Sequence, residues 1–280
     1  MGLRISTNVP SLNAQRNLSI STKQYTDSLE KLSSGSRINK GSDDAAGLAI
    51  SEKLKAQIRS VRQARRNADD GISMIQTAEG GLNEISNILI RLRELSMQSA
   101  SDTIGNEERK FVDLEFQQLK SEIQRISEVT NYNGTKLLDG SVGLLDFQVG
   151  TFNDPFQDRI TYDGQNANAG LQNLGIIEES SATKEQAQLA LSKIDKSITG
   201  INAIRADLGS IQNRLQSTVS NLMVADENLS AAKSRIRDVD VASETAELTR
   251  NNILQQAGIA VLSQANQQPA AALKLLREAS

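Results

Sequence analysis

Apolar side chains recur every seven residues through residues 54–89, and this spacing limits the folds open to the chain more than any other feature. After Leu82 the stripe shifts by one residue and continues through Leu92, with Leu95 close beside it. Such a pattern predicts one amphipathic helix from about residue 44 to about residue 100, on the order of 85 Å long at about 1.5 Å per residue. The seven-residue series consists of Leu54, Val61, Ala68, Ile75, Leu82 and Leu89.

Two further amphipathic helices follow. Four-and-three spacing from Val112 to Ile126 predicts a second helix, and the polar turn at residues 101–106 predicts that it packs antiparallel to the first. A third series runs unbroken from Ala187 to Ile236. Polar residues at its alternate positions either set the register, leave one side for a partner subunit, or lie solvated at the edge of a bundle. These polar residues are Arg205, Gln212, Asp226 and Lys233.

A short β-hairpin region, about residues 131–175, separates the second and third helices. It contains the turn pairs Asn133-Gly134 and Asp139-Gly140, and residues 146–150 and 158–164 have the composition of short strands. Roughly forty residues are too few for an independent domain, so we expect one or two hairpins lying on the bundle. The predicted fold class is mainly α: a long antiparallel helical bundle or coiled coil with a short β-hairpin region and paired terminal helices.

Both ends of the chain carry amphipathic patterns. The C-terminal segment has small and apolar residues around much of its circumference and few charges, which is typical of a buried helix. In a monomer only the N-terminal helix is available to cover it, so the remaining apolar surface predicts assembly with other subunits. The predicted polymerisation residues are Ile253, Leu254, Ala257, Val261, Leu262, Leu273 and Leu276.

The amino-acid composition argues against most kinds of catalysis and metal binding. The chain has no Cys, His or Trp, which excludes thiol nucleophiles, imidazole bases and zinc sites built on those ligands. Few aromatic residues remain to line an apolar substrate pocket, so we expect no enzymatic activity, no cofactor and no bound metal. A net charge of −3 with both signs interspersed predicts no nucleic-acid partner. No apolar run reaches the length of a membrane span, and residues 1–8 contain no secretion-signal core.

Residues 32–51, LSSGSRINKGSDDAAGLAIS, have the glycines and basic residues of a phosphate-binding loop. In such a loop the lysine follows the second glycine, whereas Lys40 precedes Gly41, and no buried strand leads into the segment. We therefore predict a linker at about residues 33–44 that connects a terminal helix to the long helix. Its glycines provide turns, Ser42 is the N-cap, and the two aspartates occupy the first helical turn. The linker residues are Gly35, Arg37, Gly41, Ser42, Asp43 and Asp44, and Arg37 and Lys40 are candidate inter-subunit contacts.

Several longer motifs together resemble those of bacterial flagellin. They are the linker segment, RNADDGISMIQTAEGGL, LRELSMQSA, YNGTKLLDG, SRIRDVDVASETAELTRNNILQQAGIAVLSQANQQP and LKLL. The resemblance covers the first 140 or so residues and roughly the last hundred. It implies a subunit that self-assembles into the helical filament used for swimming. It also implies an inner coiled-coil domain, residues 1–44 and 238–280, and a helical-bundle domain, residues 45–237, without the large outer domain of many flagellins.

The resemblance also implies a route and a set of partners. The subunit would pass through the flagellar secretion apparatus without a cleaved signal peptide and become part of the extracellular filament. A dedicated export chaperone, the filament cap and hook-associated proteins would be its partners. A Toll-like receptor of innate immunity would recognise a patch of Arg91, Leu95 and Glu115, which we expect to be exposed. The last three residues extend past the usual end of the family.

Two alternatives stay open at this point. A hook–filament junction protein shares the terminal architecture, although the motif NNILQQAGIAVLSQANQQP favours the filament subunit. A nucleotide hydrolase that uses residues 32–51 is the alternative from a different functional class.

Overall fold

The computed structural model describes the backbone of residues 7–278 and the side-chain surroundings of residues 7–267. Internal contacts divide the chain into two compact units, residues 1–56 with 228–280 (unit 1) and residues 57–227 (unit 2). Within residues 7–278, no helix combines the length and the apolar content that crossing a membrane requires. The helices are α1 (Val9–Ser34), α2 (Ala45–Ser99), α3 (Asn106–Val129), α4 (Leu171–Leu174), α5 (Lys184–Arg237) and α6 (Val241–Glu278).

Helix α2 confirms the prediction from the heptads, because its ends lie within a residue of those expected. Five members of the series are buried and Leu54 is half-buried. The shift after Leu82 is also confirmed, since Ile85, Leu92 and Leu95 continue the buried stripe. A helix this long is stabilised mainly by packing of its apolar stripe rather than by intrinsic propensity.

Helices α3 and α5 complete the core of unit 2. Phe116 and Ile123 of α3 are fully buried, as are Ile194 and Ile201 of α5, and all four belong to one apolar cluster with α2. Ion pairs cross the seam between α2 and α5. The residue numbers of the α5 partners fall as those of the α2 partners rise, so the two helices run antiparallel. These pairs are Arg62–Asp226, Arg205–Glu79 and Arg93–Asp195, with nitrogen–oxygen distances of 2.9, 3.8 and 2.6 Å. Two of the polar seam residues of α5, Arg205 and Asp226, therefore contact α2 within the chain.

Two antiparallel hairpins form the predicted β region. Strands β1 (Asn131–Tyr132) and β2 (Thr135–Lys136) flank a turn in which Asn133 and Gly134 have φ of 50° and 80°, the positive values of the expected hairpin turn. Strands β3 (Leu144–Gln148) and β4 (Arg159–Asp163) pair with Leu144 opposite Asp163 and Gln148 opposite Arg159.

The hairpins are anchored on the bundle by buried side chains. Leu137, Leu138 and Tyr162 belong to the apolar cluster of the bundle helices. The Tyr162 hydroxyl also joins the two hairpins by donating to the carbonyl oxygen of Leu137 at 2.6 Å, and burial raises the pKa of Tyr162 to about 12. A Cβ on Gly71 of α2 would lie 3.0 Å from the ring of Phe147, so this glycine lets the β3–β4 hairpin approach the helix. The prediction of hairpins lying on the bundle is confirmed.

Candidate assembly surface and interhelical joint

Small and polar side chains form the seam between α1 and α6. Asn8 caps α1 by accepting from the Ser11 amide at 3.1 Å, and its side-chain amide donates to the carbonyl of Ala265 at 2.8 Å. The Ser11 hydroxyl donates to the side-chain oxygen of Asn266 at 2.8 Å. Gly258 lies against Leu18, where an added Cβ would be 3.3 Å from a methyl carbon. Other buried seam residues are Ala14, Ser28 and Asn251.

Large apolar side chains of α1 and α6 are exposed to solvent instead. We call this set the apolar outer face: Val9, Leu12, Ile20 and Leu29 of α1, and Val241, Ile253, Leu254, Ile259 and Val261 of α6. A helix pair that buries serine, asparagine and alanine while exposing isoleucine, leucine and valine has the opposite arrangement to that of a self-sufficient hairpin. The chemistry of this face is therefore apolar association with another surface.

Four of the seven predicted polymerisation residues, Ile253, Leu254, Ala257 and Val261, are exposed. Leu262 is half-buried. The side chains of Leu273 and Leu276 lie outside the described residues. The predicted polymerisation residues did not include Val241, Ile259 or the exposed members of α1. Periodicity shows that a helix has an apolar face without showing which face the partner helix covers.

The interhelical joint, residues 35–44 with 236–240, connects the helices of unit 1. Here the expected N-cap is wrong: α2 begins at Ala45, and its cap is Asp44, whose carboxylate accepts from the Gly47 amide at 2.8 Å. Neither aspartate lies in the first helical turn. Asp43 instead accepts from the amides of Asn39 and Lys40 at 3.1 and 2.9 Å. The loop formed by Asp43 places the cap at Asp44, two residues past Ser42.

Glycine geometry in the joint also differs from expectation. Gly35 has φ of 67° and ends α1 in the left-handed conformation, which confirms the predicted turn. Gly41 has no positive φ, and a Cβ there would meet only Leu48 at 4.0 Å, so the expected steric need for glycine at 41 is wrong. Gly47 has the steric role instead, because a Cβ there would lie 2.4 Å from the Asp44 carboxylate and 2.8 Å from buried Ile38.

Backbone and side-chain contacts close the joint across the chain. Ser36 and Asp238 form an antiparallel bridge, and the Arg37 amide donates to the carbonyl of Arg237 at 2.6 Å. The Arg37 guanidinium also donates to the carbonyl of Ile236 at 2.8 Å, at the C-terminal end of α5, where a cation is favoured by the helix dipole. Lys40 pairs with Glu30 of α1. Both basic residues of the linker therefore have partners within the chain.

Ionised carboxylates in and beside the joint stabilise the folded chain at neutral pH. Hydrogen bonds from the amides of Lys40 and Asn39 hold the pKa of Asp43 below its ordinary value. Hydrogen bonds from Arg237 and Lys55 lower the pKa of Glu52 in the same way. Because these pKa values are lowered on folding, their stabilisation is present above the ordinary carboxyl pKa and is lost as the pH falls through the lowered values.

The hydrogen bonds of the interhelical joint are unfavourable for binding a phosphate. In a phosphate-binding loop free amides point at the anion, whereas the amides of Asn39 and Lys40 already donate to the Asp43 carboxylate. Among the described residues, no three carboxylates converge where they could hold a metal ion.

Only part of the predicted receptor patch is exposed to solvent. Arg91 is half-exposed, and its guanidinium donates to Glu115 of α3 at 2.9 Å and to Glu94 at 3.0 Å. Hydrogen bonds from Glu115 and then Glu94 raise the pKa of Arg91. The expectation that all three residues are exposed is wrong for Leu95, which is 1 % exposed and packs in the core of unit 2. Leu95 follows Leu92 by three residues, so helical geometry places it on the buried face.

Comparison with known proteins identifies the family. Residues 5–142 match the bacterial flagellin N-terminal helical region, and residues 191–276 match the bacterial flagellin C-terminal helical region. The chain belongs to the bacterial flagellin family. A flagellin of Halalkalibacterium halodurans is 48% identical over 273 residues, covering 98% of this chain and 99% of that protein. The flagellar filament 30.7 kDa core protein of Treponema maltophilum is 40% identical over 287 residues, covering 97% and 99%.

A solved flagellin agrees with the fold. The crystal structure of Bacillus cereus flagellin matches with a TM-score of 0.50 and 31% identity, covering 56% of this chain and 88% of that one. The two family regions contain α1, α2, α3 and most of α5 and α6, so the flagellin family accounts for the helices that carry the apolar outer face and the interhelical joint.

Proposed function

We propose that this flagellin polymerises by packing the apolar outer face of α1 and α6 against the same helices of neighbouring copies. The chain is a structural subunit of the bacterial flagellar filament, an extracellular polymer. The observation that carries the proposal is the inverted arrangement of unit 1, which exposes large apolar residues while its internal seam is small and polar. Burial of apolar area stabilises by roughly 25 cal/mol per Å², so repeated burial of this face along a filament supplies a large driving force.

The domain arrangement of the proposal follows the helix ends. Residues 1–44 and 238–280 form the inner domain around the filament axis, and residues 45–237 form the helical bundle outside it. The start of α2, the end of α5 and the start of α6 coincide with these boundaries to within a few residues, which supports them, although the compact units divide inside α2 and α5. The interhelical joint connects the two domains, and its hydrogen bonds make it a closed connection rather than a flexible tether.

The route to the filament is part of the same proposal. The chain is exported unfolded by the flagellar secretion apparatus without a cleaved signal peptide. An export chaperone covers the C-terminal segment, the cap protein places the subunit at the tip, and hook-associated proteins join the filament to its base. The exposed apolar residues of α6 support a chaperone step, because such a surface on an unassembled chain is prone to aggregate. The role is structural, without catalysis.

Assembly of the purified chain tests the proposal directly. Monomers obtained by dissociation of filaments are expected to regrow long filaments when seeded, as followed by light scattering and electron microscopy. A chain that stays monomeric at high concentration in the presence of seeds would contradict self-assembly as its function.

For the monomer, we also propose recognition by a Toll-like receptor through the surface around Arg91 and Glu115. Arg91→Ala is expected to reduce receptor signalling by at least about tenfold, since charge-assisted contacts at interfaces contribute on the order of 1.4 kcal/mol or more. Arg93→Ala is the matched control, because Arg93 is similarly exposed but pairs with Asp195 of α5. Equal signalling by both variants in a reporter-cell assay would refute the assignment. Leu95→Ala is unsuitable, because it removes a core side chain.

A further inference from the structure

Three glycines lie inside the long helices of unit 2 at positions where nothing in the fold requires a glycine. At Gly80 of α2, and at Gly200 and Gly209 of α5, an added Cβ would have no heavy atom within 4 Å beyond its own turn of helix. We call these three positions the open glycines. At the other glycines of the described helices an added Cβ would contact a side chain, and these are Gly47, Gly71, Gly81 and Gly258.

An open glycine weakens its helix locally. Glycine has more backbone freedom to lose on folding than alanine, so alanine is favoured at an interior helical position wherever its methyl group fits. The methyl group fits at each open glycine, because the space around the added Cβ is empty. These positions therefore lower the stability of α2 and α5 without improving any contact within the chain.

The open glycines lie at one level of the bundle. The ion pair between Arg205 and Glu79 places Arg205 of α5 opposite the turn of α2 that contains Gly80. Gly200 lies five residues before Arg205 and Gly209 four residues after it. At about 1.5 Å per residue these separations are about 7.5 and 6 Å along the helix axis. Both helices are therefore weakened within about a turn and a half of the same point.

The packing partner of α2 also changes at this level. A Cβ on Gly81 would lie 2.7 Å from the hydroxyl oxygen of Thr130, the residue that caps the end of α3. From there toward residue 99, α2 packs against α3. Toward its start, α2 packs against the β3–β4 hairpin, where Gly71 lies under the ring of Phe147. Neither α3 nor this hairpin therefore supports α2 continuously through the level of the open glycines.

The polar contact between α2 and α5 is weak at the same level. The nitrogen–oxygen distance between Arg205 and Glu79 is 3.8 Å, whereas the ion pairs on either side along the same seam measure 2.9 and 2.6 Å. The Nε atom of Arg205 is buried without a hydrogen-bond partner. A buried donor without a partner is unfavourable, so a small rearrangement of the two helices here breaks no strong polar contact.

Bending explains the open glycines better than a docking groove does. Gly200 and Gly209 are nine residues apart, which is about two and a half turns at about 3.6 residues per turn. They therefore lie on opposite sides of α5, and one partner surface could not contact both. Helix propensity is a property of the backbone, so a glycine weakens the helix whichever side it faces.

We propose that α2 and α5 bend together at the level of the open glycines, which form a hinge inside unit 2. Hinges in proteins are a few residues that absorb a change of backbone angles, and small residues are common among them. The consequence in the filament rests on the proposed function. When a filament bends, its subunits on the inner and outer sides are strained unequally, and a hinge in each bundle accommodates this strain while α1 and α6 keep their contacts.

Hydrogen exchange of the monomer, measured by mass spectrometry, tests the hinge without assembly. After correction for intrinsic rates, amides within one turn of the open glycines are expected to exchange faster than those in the flanking turns of α2 and α5. Gly80→Ala, Gly200→Ala and Gly209→Ala together are expected to slow exchange at the hinge at least about fivefold, the factor that the propensity difference of one glycine gives. Equal exchange at the hinge and in its flanks overturns the proposal.

A control variant separates the hinge from general stabilisation of the helix. Ser192→Ala also introduces alanine at an exposed position of α5, eight residues before Gly200. It is expected to leave exchange at the hinge unchanged, because it lies more than two turns away. Equal slowing by Ser192→Ala and by the triple variant overturns the hinge.

Filament shape tests the consequence for assembly. Filaments of the triple alanine variant are expected to have a longer persistence length in electron micrographs than filaments of the wild-type chain or of Ser192→Ala. Equal persistence lengths overturn the role of the hinge in the filament and leave the proposed function intact. Failure of the wild-type chain to assemble overturns the proposed function instead, and the exchange experiment then decides on the hinge alone.

Discussion

Deletion of residues 246–280 is expected to yield a chain that folds in unit 2 and forms no filaments. The deletion removes nearly all of α6 and with it four of the nine residues of the apolar outer face. Helix α1 then lacks its partner, and a helix in a protein is stabilised mainly by packing of its amphipathic face. The core of unit 2 contains none of the deleted residues, so its thermal unfolding is expected to be unchanged.

Three measurements separate these outcomes. Light scattering after seeding reports filament growth, and size-exclusion chromatography reports the monomer. Circular dichroism reports the total helix content, which is expected to fall by no more than the share of α1 and α6. Point substitutions refine the result, because Ile253→Ser with Val261→Ser removes apolar surface while leaving the seam intact. Gln264→Ser, at an exposed polar position of the same helix, is the matched control. Normal filaments from the truncated chain would contradict the assembly role of α6.

Sequence periodicity predicted the helices of this flagellin well because their signal is local. The bounds of α2 follow from apolar residues at fixed intervals, and the turn at Asn133-Gly134 follows from the two residue types that tolerate positive φ. Leu95 is instructive, because we expected it to be exposed in the patch that the family resemblance implies, whereas its spacing of three residues from Leu92 is that of a buried position. The structure agrees with the spacing.

Two details of the interhelical joint could not be predicted: the choice of helix cap, and a contact between residues distant in sequence. Ser42, Asp43 and Asp44 are all capable of capping a helix, and local rules do not choose among them. The choice follows from a loop in which Asp43 binds the amides of Asn39 and Lys40. The pairing of Arg37 with the end of α5 joins positions about 200 residues apart, and no sequence pattern signals it.

The composition of the apolar outer face could not be predicted fully from the sequence either. Helical spacing identified apolar residues in α6, but the partner of each residue depends on how α1 lies against it. The seam is recognisable afterwards by Gly258, which permits close approach to Leu18, and by the polar pair Ser11 and Asn266. If the apolar residues of α1 and α6 had formed the seam instead, they would be buried within the chain and could not contact other subunits.

The second large effect is expected in the core of unit 2, where substitutions at two neighbouring positions on α2 should differ strongly in their effect on stability. Leu89→Ala is expected to lower the free energy of unfolding by about 2–5 kcal/mol, the range for removing a fully buried leucine and leaving a cavity. Ile90→Ala, at the next residue but 48 % exposed, is expected to change it by less than about 0.5 kcal/mol. Guanidinium unfolding of the monomers, followed by circular dichroism, measures both.

This pair tests whether the heptad register of α2 governs stability. The two substitutions remove side chains of nearly equal size from adjacent residues, so intrinsic helix propensity cannot account for a large difference between them. A shift of the stripe by one residue would reverse the order of the two effects, and equal effects would mean that α2 does not bury the face described here. Because Leu89 lies far from the apolar outer face in sequence and belongs to unit 2, its loss is expected to lower the midpoint of monomer unfolding while seeded growth below that midpoint continues. Stability of the bundle and polymerisation through the terminal helices are then separable properties of one chain.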